Sequence, residues 1–234
     1  MSDYLYGKNS FTEALKSNRI KKAYVMRNSP FIDELNRKHI PYEIVDRNKL
    51  DKMSKSNNHQ GALAEVDSYK LFKLEDIIKR DNGLIVMLDG ITDPHNFGAI
   101  IRTCECAGVD GVIYKKHNSA KINDTVAKVA SGALEHVKVV EVTNLTNTIN
   151  KLKEEGYWIV GSSGKAKDLY TDIDYNRNIV MVIGSEGDGV SRLVLKECDY
   201  EVKIDMAGVV DSLNASVATG VLLFNVIRSR KAGK

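Results

Sequence analysis

The chain has 234 residues, 43% of them hydrophobic and 28% charged, with a formal net charge of +3. That is enough apolar material to bury a full core in one large domain or two smaller ones, and no apolar run approaches the roughly 20 residues of a membrane span. The opening MSDYLYGKNS lacks the apolar stretch of a secretory signal, so a cytoplasmic protein with no membrane partner is expected.

The charge is unevenly placed. Residues 1–75 hold 14 Lys and Arg against 10 Asp and Glu, a surplus of +4, while the remainder holds 20 against 21. A basic N-terminal third fits a unit that meets a polyanion, although a merely solvated basic surface would read the same way. Three cysteines are not a disulfide framework, and Cys104 and Cys106 fall two apart on an expected helix, facing different ways, so no metal site is expected.

In chain order, Phe11, Ala14 and Leu15 recur at helical spacing after Gly7 and Asn9. A strand follows at 21–26, then a helix opened by Pro30 and running to 38, and a short strand at 42–45. A polar helix over about 49–55 and a strand at 62–66 close a small α/β unit. Residues 67–82 read as a connector without a core strand. From 83 the pattern becomes a larger βα alternation, with strands at 83–89, 112–114, 136–142, 157–163, 179–183 and 200–204. Helices are expected at about 97–107, 123–131, 145–155 and from about 212 onward. The run at 83–89 is apolar on both faces, as a central parallel strand is. The expected boundaries are 1–70, a linker at 71–82, and 83–234.

Three clusters look chemical. The first is Asp93-Pro94-His95-Asn96-Phe97-Gly98, followed by Arg102: a tight loop entering a helix, with Asn96 placed to cap backbone donors and Arg102 projecting back toward the loop. The second is Gly184-Ser185-Glu186-Gly187-Asp188-Gly189. Its glycines allow close backbone approach, but no Gly-Lys-Ser/Thr follows, and two carboxylates make it hostile to phosphate. A ligand there should be neutral, cationic, or held by backbone. The third is Ser212-Leu213-Asn214-Ala215-Ser216, opening the apolar last helix. Each has an ordinary explanation when read singly: a capped helix, a flexible loop, a second capped helix.

Together, and in this order, the three closely resemble the signatures of the SpoU/TrmH family of RNA 2′-O-ribose methyltransferases: Asp-Pro-x-Asn-x-Gly-x-x-x-Arg at 93–102, Gly-Ser-Glu-Gly at 184–187 and Ser-Leu-Asn-x-Ser at 212–216. The N-terminal unit, with Tyr-Gly-Lys-Asn at its start and His59-Gln60-Gly61 near its end, looks like the substrate-binding domain of the RlmB-type subgroup, which methylates a guanosine of the 23S ribosomal RNA P-site loop. The resemblance implies an α/β fold: a SPOUT-type parallel-sheet catalytic domain with a C-terminal deep trefoil knot, preceded by a small α/β (L30e-like) domain. It implies S-adenosyl-L-methionine, held through backbone at Gly184, Ile204 and Leu213, an RNA substrate, and a homodimer. Arg102 is implied to activate the ribose hydroxyl. A guanidinium is a poor base, so its charge would act on the developing alkoxide and an adjacent phosphate. Asn96 would orient the reacting groups, and Glu186, Ser212 and Asn214 would fix the neighbouring loop and Arg102, with Glu186 as ionic partner of Arg102. The family commonly has Ile-Pro-Met where this chain has Ile204-Asp205-Met206, which frees a backbone N–H and adds a charge beside the cofactor loop. A transfer-RNA methyltransferase, or a non-catalytic RNA-binding ribosome-assembly factor of the same fold, are the alternatives.

Overall fold

The computed structural model describes residues 4–54, 59–67 and 69–232. In chain order the elements are β1 (Tyr4–Tyr6), α1 (Lys8–Lys16), β2 (Ile20–Val25), α2 (Ile32–Arg37), β3 (Tyr42–Ile44), α3 (Arg47–Ser54), β4 (Ala62–Val66), β5 (Leu71–Phe72), β6 (Leu84–Asp89) and α4 (Pro94–Cys106). There follow β7 (Gly111–Lys115), α5 (Asp124–Ala130), β8 (Val139–Val142), α6 (Leu145–Glu154), β9 (Trp158–Ser162), β10 (Asp168–Leu169), β11 (Ile179–Gly184), α7 (Arg192–Leu195), β12 (Tyr200–Lys203) and α8 (Ala215–Ala232). The polar helix expected over about 49–55 is described from Arg47 to Ser54; Lys55, the first three residues of the opening segment and the last two of the expected catalytic domain lie outside the described residues.

The chain divides into two compact units, Met1–Tyr69 with Ile122–His136, and Lys70–Lys121 with Val137–Lys234. The first has a four-stranded sheet in the order β1-β4-β2-β3, antiparallel except where β2 meets β3. Phe11, Ala14 and Leu15 of α1 are fully buried, and Phe11 meets Phe31 with ring centroids 4.5 Å apart. The segment carrying α5, expected within the catalytic domain, belongs to this unit. Arg19 pairs with Glu135, Ser17 Oγ donates to Glu135 at 2.9 Å, His136 meets Glu13 at 2.9 Å, and Asn9 donates to Ser131 at 3.2 Å. Helical periodicity places a helix over about 123–131 but says nothing of which sheet it covers; these polar partners, more than 110 residues away in sequence, decide that.

The second unit is a wholly parallel sheet in the order β10-β12-β9-β11-β6-β7-β8-β5, eight strands among the described residues. Its centre is the β11–β6 pair, whose Leu84–Leu88 and Ile179–Ile183 stretches are all buried. Burial of each such side chain contributes about 1.5–3 kcal/mol, so this pair anchors the loops at its ends. The stretch read as a connector carries β5, which adds to the sheet edge beside β8. Two strands, β5 and β10, have only two residues each and show no period that a sequence could reveal. Among the described residues no helix is long and apolar enough to cross a membrane.

The end of α8 is fastened from within. Arg230 donates to the carbonyls of Tyr175 (2.9 Å), Asn82 (2.7 Å), Gly83 (3.0 Å) and Arg177 (2.8 Å). Buried Asn178 complements it, accepting from Gly83 N at 2.7 Å and donating to Arg80 O at 2.9 Å. These two side chains pair the backbone groups of the turns that feed β6 and β11, which would otherwise be left without partners.

Candidate active site

The chain runs from β6 through α4 to β7 on one side and returns through β9 and β11 on the other. The carboxyl ends of β6 and β11 therefore meet where the direction of winding reverses, the place where open parallel sheets hold ligands. The first two clusters follow those strands, and Asn214 of the third is brought to them at the start of α8.

The first cluster starts α4, three residues earlier than its apolar pattern indicates. Asp93, not Asn96, is the cap: its carboxylate accepts from His95 N and Asn96 N, both at 3.1 Å, and Pro94 takes the position where no N–H is needed. This frees the Asn96 side chain. Its Oδ1 accepts from Asn214 Nδ2 at 2.9 Å and its Nδ2 donates to Glu186 Oε2 at 3.4 Å.

The second cluster is a closed loop. Ser185 N donates to Gly189 O at 3.1 Å and Gly189 N returns the bond to Ser185 O at 3.0 Å, with Gly187 at φ 95° between them. Gly184 is the residue this closure demands, because a methyl group there would overlap the backbone of Gly189 and Val190. Asp89, at the end of β6, accepts from Ser191 N at 2.8 Å and pins the far side of the loop.

Asn214, from the third cluster, joins the other two. Its Nδ2 reaches Glu186 Oε2 at 3.2 Å as well as Asn96, while its Oδ1 accepts from Ser216 N (2.9 Å) and Ser216 Oγ (2.6 Å) at the start of α8. Every polar atom of this amide is thereby engaged, which fixes its orientation. Ser212 stands apart from this cluster: it is exposed and donates to Asp211 at 3.3 Å. Arg102 is exposed on α4 and makes no hydrogen bond or ion pair among the described residues. Glu186 is held by the two asparagines and not by Arg102, whose guanidinium is left open to solvent.

Beside the cluster is a pocket of about 590 Å3 walled by 183–190, by Ile204 and Met206, and by Asp211, Ser212 and Leu213, with Leu222 of α8 behind. Gly184, Ile204 and Leu213 are all in its wall. Asp205 is exposed and outside it, so the carboxylate that departs from the family pattern does not face the pocket. The remaining wall, Ser162-Ser163-Gly164-Lys165 after β9, and Arg192, escaped the sequence reading. The signal was present: a Gly/Ser-rich stretch at the carboxyl end of a parallel strand. Lys165, Arg192 and Lys203 share the wall with Glu186, Asp188 and Asp211, so the lining carries both signs. Among the described residues no group of three or more His, Cys, Asp or Glu could hold a metal ion, and burial pushes the Cys104 thiol far up.

Two stretches of the chain match known families, and the longer one includes the 122–136 segment that belongs to the first unit. Residues 83–224 match the model of the SpoU rRNA Methylase family, and residues 4–72 that of RNA 2′-O ribose methyltransferase substrate binding. The chain is 39% identical to the 23S rRNA (guanosine-2′-O-)-methyltransferase RlmB of Vibrio vulnificus, over 100% of this chain and 99% of that one. It is 45% identical to RlmB of Pseudomonas aeruginosa, covering 82% and 79% respectively. In fold it is similar to the SpoU methyltransferase AviRb of Streptomyces viridochromogenes, at TM-score 0.88 and 24% identity over 100% of this chain and 91% of that chain. AviRb has also been solved in complex with AdoMet, and that structure superposes at TM-score 0.85 with 24% identity, over 99% of this chain and 91% of that one.

Proposed function

Because the chain belongs to the SpoU rRNA Methylase family, we propose that it is an S-adenosylmethionine-dependent methyltransferase acting on a ribose 2′-hydroxyl of a 23S ribosomal RNA guanosine. The observation that carries this reading is the single hydrogen-bonded cluster of Asn96, Glu186 and Asn214 at the mouth of a pocket of small-molecule size. S-adenosylmethionine has a carboxylate, an ammonium and a sulfonium, and a lining that mixes Lys165 and Arg192 with Glu186, Asp188 and Asp211 suits such a ligand better than it suits a phosphate. When bound, it supplies an electrophilic methyl group.

The chain's own residues then have separable tasks. Gly184, Ile204 and Leu213 offer backbone to the ligand. Asn214 and Glu186 lock Asn96, whose amide orients the reacting groups; positioning of this kind accounts for a large part of a transfer barrier. Arg102, exposed and unpaired among the described residues, is free to meet RNA, neutralising the 2′-oxygen as its proton passes to solvent water and holding a neighbouring phosphate. Ser212 shapes the pocket wall. Arg102→Ala should abolish methyl transfer and leave S-adenosylmethionine affinity unchanged; wild-type turnover in that variant refutes the assignment.

The basic N-terminal unit supports an RNA-holding role, and the full-length match to relatives named for 23S ribosomal RNA supports that substrate over transfer RNA. Work on ribosomal RNA would place the protein in the cytoplasm. A homodimer is supported by Val217 and Phe224, 51% exposed on α8, and by exposed Val209 and Val210 just before it. Sedimentation at the monomer mass would contradict it. A knot is supported by the position of β12, inserted between β9 and β10 although residues 163–167 already join those two, and by the carbonyl ring that Arg230 of α8 grips. Pulling the chain by its ends should give an unfolded length short of the full contour; the full contour would mean no knot.

A further inference from the structure

The second unit has another groove, of about 490 Å3, at the carboxyl ends of β5 and β8 and the start of α6. All strands of this sheet are parallel, so the groove opens on the same edge as the Asn96–Glu186–Asn214 cluster. It lies two to three strands along from β6, roughly 10–15 Å at the usual strand spacing.

Its charge is distinctive. Lys73 and Lys151 line it, Lys115 ends the neighbouring β7 and Lys116 follows it; among the described residues none of the four makes an ion pair. At the opposite edge of the sheet, by contrast, Lys79 is paired with Asp110 and Lys153 with Asp199. Unpaired cations along one edge suit a phosphate backbone. A bare anion fits less well, because Glu141 also lines the groove and Asn144 already caps Asn147 N at 3.0 Å. Glu141 Oε2 accepts from Tyr114 at 2.9 Å, which leaves Oε1 to accept from a ligand. Half-buried Phe72, packed against the core and with the Lys70 ammonium 4.8 Å from its ring centroid, provides an aromatic surface beside it and a further cation that a base or its phosphate would meet.

A ligand that is anionic at one end and carries a flat, amino-bearing group at the other satisfies all of these features. Building on the proposed methyl transfer to RNA, we infer that this groove holds one nucleotide of the strand flanking the target ribose. Its phosphates lie between Lys73 and Lys151, and its base lies against Phe72 with an exocyclic amino group donating to Glu141.

The test uses the full chain and a fluorescein-labelled RNA hairpin with guanosine and cytidine in its loop, titrated at several salt concentrations. In Lys73→Glu/Lys151→Glu the affinity should fall about tenfold or more, and the salt slope should shrink by about 1.4, roughly 0.7 for each lost phosphate contact. Lys138→Glu, at the amino end of β8, should change affinity less than about twofold. Unchanged affinity in the double variant, or an equal loss in Lys138→Glu, overturns the inference. Glu141→Leu adds an independent reading: the wild-type chain should prefer oligocytidylate to oligouridylate, which lacks the amino group, and the variant, which has no acceptor there, should not. A preference that survives the substitution overturns the base contact. Affinity is read separately from turnover, so a chain that binds the hairpin through these lysines but transfers no methyl group refutes the catalytic proposal and leaves the groove standing.

Discussion

Replacing Arg230 with methionine keeps the aliphatic stem and removes the guanidinium, leaving four carbonyls without their donor. Three of these bonds, to Tyr175, Gly83 and Arg177, are partly buried, and the fourth, to Asn82, is exposed. Water replaces the exposed one at little cost. At about 1 kcal/mol for each of the others the loss is about 3 kcal/mol. The higher values found for fully buried charged bonds do not apply to a half-buried side chain. Burial lowers the pKa of Arg230, yet an arginine remains charged, so the loss should not vary between neutral and mildly acidic pH. For a chain of this size about 3 kcal/mol corresponds to a fall in Tm of roughly 6–12 °C. The only tryptophan, Trp158 in β9, stacks on Tyr200 at 5.4 Å and reports on this unit by fluorescence. Arg230→Lys, with the charge but not the fork, should recover about half. A fall of less than about 2 °C in Arg230→Met would mean that these bonds contribute little to holding the unit together.

Three further outcomes follow from the site and the first unit. Gly184→Ala forces the 185–189 loop away from β11, and calorimetry should show S-adenosylmethionine affinity reduced by about tenfold or more; affinity equal to wild type contradicts the packing account. Asn214→Asp retains the oxygen that caps α8 but sets a second carboxylate against Glu186, so methyl transfer should fall about thirtyfold, some 2 kcal/mol, while Tm holds. A parallel drop in Tm would make Asn214 a structural cap alone. In the first unit, hydrogen bonds from Lys16 and then His136 hold the Glu13 carboxyl below its ordinary range. A depressed carboxylate stabilises the fold above its unfolded value of about 4.3, and that contribution is lost as pH falls through the folded value. Hydrogen exchange in 122–136 should therefore quicken below about pH 4.5, and less so in Glu13→Gln; identical profiles would remove the linkage.

Much of the site was legible because its chemistry uses residue types that stand out at strand ends. The apolar runs of β6 and β11 mark central strands, and Asn96, Glu186 and Asn214 lie in short polar stretches directly after such strands or before a helix. What was hidden depends on contacts distant in sequence. Asp93 and Asn96 are both good caps, and only the approach of Asn214 separates capping residue from site residue. The 122–136 segment has an unremarkable helical pattern, and its allegiance to the first unit rests on Arg19, Ser17 and Glu13. Arg230 sits in a basic tail where nothing local distinguishes it from Arg228, yet it holds four carbonyls. Asp205 looked like an intrusion into the ligand loop, and backbone direction sets it outside the pocket.

Methyl transfer to 23S ribosomal RNA can be read directly. The most direct measurement incubates the purified chain with S-adenosylmethionine and 23S ribosomal RNA from cells lacking the protein, then maps 2′-O-methyl groups by nucleotide. A new 2′-O-methyl group should appear on one guanosine and be absent with Arg102→Ala. Methylation confined to transfer RNA, or none in either RNA, would contradict the proposed transfer.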